Sequence, residues 1–185
     1  MNKQEQQHAE ERILAAKDLV IDSIAETMDL YGITRSAGIL YGTMYLNEEM
    51  TLDEMREELQ MSKPSMSTGV KKLQDMNIVK KTFHRGRRKH SFVAEKDFFK
   101  FFMNFFPQKW EREVEVNLAA IDEAQNRLQE VISDQQVEEA MREEAKQLLD
   151  QLESSKAYYD WLRRLAQSVH SREIFEYIPI ERGEK

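Results

Sequence analysis

The residues best equipped for chemistry in this chain are cations, and most of the useful ones are gathered in one window. Residues 62–90 hold nine Lys and Arg (Lys63, Lys71, Lys72, Lys80, Lys81, Arg85, Arg87, Arg88 and Lys89) against one acid, Asp75. The window therefore carries +8 while the whole 185-residue chain carries −7, which leaves −15 on the remainder. A basic island on an acidic body is the electrostatic footprint of a module that contacts a polyanion. The acidic remainder would face away and suppress nonspecific adhesion. Arg85, Arg87, Arg88 and Lys89 fall within five residues around Gly86 and would repel one another unless phosphate charge lay close by. Covalent chemistry finds no comparable grouping. His8, His84, His90 and His170 are far apart in sequence, cysteine is absent, and no glycine-rich phosphate loop, nucleophile elbow or zinc-ligand spacing occurs. Neither catalysis nor a metal or other cofactor is expected.

Two elements must present these cations. Ser62 caps a helix with Pro64 in its first turn, where a missing N–H costs little, and the helix runs to about Met76. Met66, Val70, Leu73 and Met76 recur at spacings of 4, 3 and 3 and so share an inner face. Pro64, Thr68, Lys71, Lys72 and Asp75 take the opposite face, and hydroxyls with lysines suit the major groove of DNA. Ser62, Lys63, Ser65 and Ser67 cluster at the helix N-terminus, where free backbone N–H groups and the helix dipole favour a phosphate. Gly69 costs about 1 kcal/mol against alanine in mid-helix. It predicts a close approach, either to a neighbouring helix or to the DNA backbone. Just upstream, Thr51-Leu52-Asp53-Glu54 is a capping box that opens a short helix to about Gln60. After Asn77 the period changes, and residues 78–83 and 90–93 read as strands joined by a turn at 84–89. Helix, turn, helix and basic hairpin follow the order of a winged helix-turn-helix. Its DNA contacts are expected from Ser62, Lys63, Ser65, Ser67, Thr68, Lys71, Lys72, Arg85, Arg87, Arg88 and Lys89.

Residues 51–102, TLDEMREELQMSKPSMSTGVKKLQDMNIVKK through TFHRGRRKHSFVAEKDFFKFF, resemble MarR-type winged-helix regulators, and within them the GbsR-like branch. The resemblance rests on Ser62-Lys63 with Ser65 to Ser67, the helix end from Leu73 to Val79, and Gly86-x-Arg88-Lys89. Helix order extends it over most of the chain. It implies a homodimeric regulator of genes for osmoprotectant uptake or glycine betaine synthesis, with choline or a related quaternary ammonium compound as effector. Two departures are visible: Asn77 stands where such proteins often have glycine, and Arg87 where an acid is common. Asparagine tolerates the left-handed conformation of a helix end. Loss of the acid leaves the wing tip more positive and its orientation less fixed.

The flanking sequence is helical. Residues 4–31 form one helix ended by Gly32, and Thr34 caps a second over 35–48. From Asp97 the chain is helical again, broken at Pro107, with further helices at 108–131, 134–153 and 155–170. The expected fold is mainly α with a small β-hairpin wing: a winged helix-turn-helix at 34–95, an N-terminal dimerisation helix at 1–33, and a C-terminal helical region for dimerisation and effector binding at 96–185. Leu118, Ile121, Leu128 and Ile132 form an apolar stripe suited to a twofold mate. Six phenylalanines fall within residues 98–106 and point nearly all round a helix, more than one core can use. Tyr41, Tyr45, Phe98, Phe99, Phe102, Trp110 and Trp161 are candidate walls of an aromatic effector pocket, which would hold a methylated cation by cation–π attraction. The N-terminal MNKQEQQHAEER is too polar for a signal peptide, and no apolar run approaches the roughly 20 residues of a membrane span. Expected partners are therefore double-stranded DNA, a second copy and a small-molecule effector, in the cytoplasm and away from membranes. Two alternatives stay open: a winged-helix module binding a protein through its basic wing, and a MarR-type regulator sensing an unrelated ligand.

Overall fold

A computed structural model describes residues 2–83 and 89–181, so the expected wing tip at 84–88 lies outside the described residues. The elements run α1 Lys3–Leu30, α2 Arg35–Leu46, β1 Met50–Thr51, α3 Leu52–Leu59, α4 Lys63–Asp75, β2 Val79–Thr82, β3 Ser91–Ala94, α5 Phe98–Ser133, α6 Glu139–His170 and α7 Ile174–Tyr177. The chain is mainly helical with one small antiparallel sheet, ordered β1-β3-β2. It forms two compact units, residues 1–101 and 102–185. Among the described residues, no helix is long and apolar enough to cross a membrane.

The first unit is built around α2, and its glycines explain why. A Cβ on Gly38 would lie 2.7 Å from the Ala25 backbone of α1, and one on Gly42 would lie 3.1 Å from the Ile21 backbone. Only hydrogen in place of a side chain lets the two helix backbones come this close. On its other side α2 meets α4, where a Cβ on Gly69 would stand 2.5 Å from Leu40 Cδ1. The mid-helix glycine of α4 thus serves a neighbouring helix. Leu40, Tyr41, Met44, Met55, Met66 and Leu73 fill the core at 0–1% exposure.

Local signals set the boundaries. The capping box at α3 is complete, with Glu54 N donating to Thr51 Oγ1 and Thr51 N to the Glu54 carboxylate. Gln60 at φ 54° and Asn77 at φ 57° take the left-handed conformation that ends α3 and follows α4. Asparagine therefore occupies its position as expected from its side chain. Strand β1 pairs with β3 in the register Met50↔Phe92 and Thr51↔Ser91, and two residues are too short to show in a periodicity. Thr34 precedes α2 but makes no side-chain capping bond.

The second unit contains a long helical hairpin. Gln125 donates to Glu153 at 2.9 Å and Lys156 meets Asp122 at 3.1 Å, tying α5 to α6. Here the structure departs from the sequence expectation, because two long helices replace the three expected after Pro107. Helix α5 passes through Pro107, whose ring is fully buried, so packing compensates for the lost N–H donor. Helix α6 likewise passes through 153–155, where Ser154 and Ser155 donate to the carbonyls of Asp150 and Leu152 within the helix itself.

Gly38→Ala should destabilise the protein by about 1–3 kcal/mol through overpacking, despite the gain of about 1 kcal/mol in helix propensity. Thermal unfolding should show a Tm several degrees lower; a higher Tm would refute the close α1–α2 contact.

Candidate nucleic-acid interface

Helix α4 forms because its cap and its apolar phase agree. Ser62 Oγ accepts from Ser65 N at 3.4 Å, and the two hydroxyls lie 2.9 Å apart. Met66, Val70 and Leu73 are buried, each contributing about 1.5–3 kcal/mol of apolar burial. This leaves Ser62, Lys63, Ser65, Ser67, Thr68 and Lys71 exposed along the other side. Met76, expected on the inner face, is half-buried in the turn that follows.

The lysines of α4 do not behave alike. Lys71 is exposed, whereas Lys72 is half-buried and its Nζ donates to the Gly32 carbonyl at 3.4 Å. Lys72 is held against its own unit, at the turn that ends α1.

The sheet continues the basic surface. Val79 of β2 is buried while Lys80 and Lys81 are exposed. Strand β2 pairs with β3 from Val79↔Ala94 to Thr82↔Ser91, and beyond that pair the Phe83 and His90 rings meet at 5.1 Å. Arg85, Arg87 and Arg88 lie outside the described residues. Lys89 is bound at 2.7 Å to Asp53 of α3. The Lys89 hydrogen bond, and then its charge, hold the Asp53 carboxyl below its usual range, while the same bond raises the lysine. In sequence Lys89 stands with the wing cations, and its acid lies 36 positions away, so the pair exists only in the fold.

The seven aromatic candidates fall into separate groups. Within the first unit, Tyr41 is fully buried, and its hydroxyl donates to the Glu95 carbonyl at 2.6 Å. Burial above all, then the nearby Tyr45 and Glu95, pushes its phenol above the ordinary tyrosine range. Tyr45 stacks on Phe98 at 5.0 Å, and Tyr41 lies 5.5 Å from Phe101. Phe99 is exposed, and its backbone N–H donates to the Asp97 carboxylate that caps α5. In the second unit Phe102, Phe106 and Trp110 follow one another at four-residue spacing, with centroids 5.3–6.3 Å apart. Trp161 lies on α6, half exposed, 6.2 Å from Tyr158. Among the described residues, no group of three or more His, Asp or Glu is arranged to hold a metal ion.

The pattern "GbsR family transcriptional regulator, C-terminal helical hairpin" matches residues 98–176, which are α5, α6 and most of α7. The HTH-type transcriptional repressor GbsR of Bacillus subtilis (strain 168) is 76% identical over 166 residues, covering 90% of this chain and 92% of its own length. The chain belongs to the GbsR family of transcriptional regulators. Two further B. subtilis relatives span the chain to a similar extent. The HTH-type transcriptional repressor OpcR is 33% identical over 94% of this chain and 90% of its own. The putative HTH-type transcriptional regulator YvaV is 34% identical over 89% and 93%. The hairpin pattern covers the acidic C-terminal helices, while the relatives also cover the unit that carries the basic window.

If the exposed face of α4 is the one that meets DNA, Lys71→Ala should weaken binding more than Lys72→Ala. Mobility-shift titrations of the two variants side by side would test this, and equal losses would mean that Lys72 leaves Gly32 when DNA binds.

Proposed function

We propose that this GbsR-family chain is a homodimeric, sequence-specific DNA-binding repressor that reads the major groove with α4 and grips the flanking backbone with its wing. The observation that supports this most directly is α4 itself. Three apolar residues lock it onto the core, while serines, Thr68 and Lys71 line its open side. Thr68 and Lys71 face away from Val70 and Leu73, which suits base-edge or near-base contacts. Repression follows the names of the GbsR and OpcR relatives. The family resemblance points to osmoprotectant uptake or synthesis genes as targets, and a repressor acting on such genes would work in the cytoplasm.

Dimerisation is supported by apolar side chains left exposed on long helices. Ile13, Leu14 and Leu19 of α1 are 58–74% exposed, and Met141 and Leu148 of α6 are 58% and 44% exposed. A twofold mate would cover such surface and set two α4 helices about 34–36 Å apart, one turn of DNA. For the effector, the three-ring run Phe102, Phe106 and Trp110 offers faces to a methylated cation that cannot donate hydrogen bonds, each face contributing roughly 0.5–2 kcal/mol.

With about eight phosphate contacts per dimer, log K for duplex DNA should fall with log salt at a slope of about −7. Replacing Arg85, Arg87 and Arg88 by alanine should weaken binding across all sequences and flatten that slope. Unchanged affinity in the triple variant would exclude the wing from the interface. Light scattering on the free protein should report about twice 21.9 kDa. Calorimetry should detect choline or glycine betaine in the micromolar to millimolar range; silence up to millimolar concentration would reduce the aromatic run to packing.

A further inference from the structure

The hairpin that carries the wing is gripped at its base on both arms by one short acidic segment. Thr82, the last residue of β2, donates its hydroxyl to the Glu49 carboxylate. Lys89, two residues before β3, meets Asp53 at 2.7 Å. Glu49 immediately precedes β1 and Asp53 is the second residue of α3, so both grips come from residues 49–53. The segment is itself fixed. Thr51 pairs with Ser91 in the sheet and exchanges capping bonds with Glu54. Strand pairing between the arms ends at Thr82↔Ser91. The two carboxylates therefore act where the ladder ceases to control direction.

We propose that Glu49 and Asp53 are positioning residues for DNA binding, a carboxylate clasp that sets the direction in which the wing leaves the sheet. Charge alone argues against acids here. Asp53 shares a hollow of about 300 Å³ with Lys63, Lys81 and Lys89, and a carboxylate among lysines lowers their pull on phosphate. The clasp gives that carboxylate a use. It ties Lys89, which gives up a phosphate contact of its own and anchors the arm that runs into β3. A cation on a fixed arm loses less freedom on binding than one on a wandering arm.

The inference rests on DNA binding by this unit, and the test separates the two. Full-length wild type, Asp53→Asn, Asp53→Glu, Thr82→Val and the exchange Asp53→Lys with Lys89→Asp are titrated against labelled random-sequence duplex DNA by fluorescence anisotropy. Circular dichroism checks that each is folded. The capping bonds of α3 belong to Thr51 and Glu54, so Asp53 variants keep the helix start. Asp53→Asn should bind about two- to fivefold more weakly, the range expected from one exposed pair, and Thr82→Val should fall in the same direction. Asp53→Glu should stay near wild type, and the exchange should recover most of the asparagine loss. Equal or tighter binding by Asp53→Asn, where charge alone would rule, overturns the clasp. So does an exchange variant weaker than Asp53→Asn, because Lys89 would then be a phosphate contact in its own right. Wild type without DNA affinity would instead remove the underlying functional reading.

Discussion

Helix α2 cannot move without moving the rest of the first unit, because it meets α1 backbone to backbone and α4 through a fully buried leucine. Gly38 and Gly42 bring it against Ala25 and Ile21 of α1, and Leu40 fills the notch left by Gly69 on α4. Contacts of this kind have almost no slack, since a close-packed interior transmits a displacement that flexible side chains would absorb. The exposed face of α4 is therefore aimed by α2, and α2 in turn is registered by α1. The same helix reaches the far end of the sheet through Tyr41, whose hydroxyl holds the Glu95 carbonyl just after β3. Glu95 N donates to the Ile78 carbonyl, which closes the circuit back to the turn after α4.

That arrangement explains which features were legible in the sequence. The phase of α4 could be read because Met66, Val70 and Leu73 obey a helical period and nothing competes with it. Capping at Thr51 and Ser62 was legible because it is a local hydrogen-bond pattern, and Asn77 because left-handed backbone favours few residues. What escaped has non-local causes. Pro107 marks a break in any local reading, yet α5 continues because the ring is buried by packing that no window around it contains. The serines at 154 and 155 look like punctuation until their hydroxyls are seen returning to the helix carbonyls. Lys72 and Lys89 count as two free cations in a charge window, but one leans on Gly32 and the other on Asp53. Of the aromatics, composition announced an excess without saying that Tyr41 would be core while Phe98 is half exposed.

Charge placement connects these observations. The net +8 of residues 62–90 overstates what a phosphate would meet, since a lysine at 2.7 Å from a carboxylate presents little field beyond the Debye length of about 8 Å. Among the described residues of that window, the cations that stand open are Lys63 and Lys71 on α4 and Lys80 and Lys81 on β2. They form two short rows, one on each element, and the neutralised Lys89 sits beside them as structure. An acidic chain can thus present a basic surface without becoming indiscriminately sticky. Its C-terminal helices pair their own charges internally, as at Arg127–Glu123, Lys146–Glu143 and Arg163–Asp160, and so add little attraction for a polyanion. Affinity for DNA then depends on how many cations are left open and how rigidly they are held, and the acids decide both as much as the lysines do.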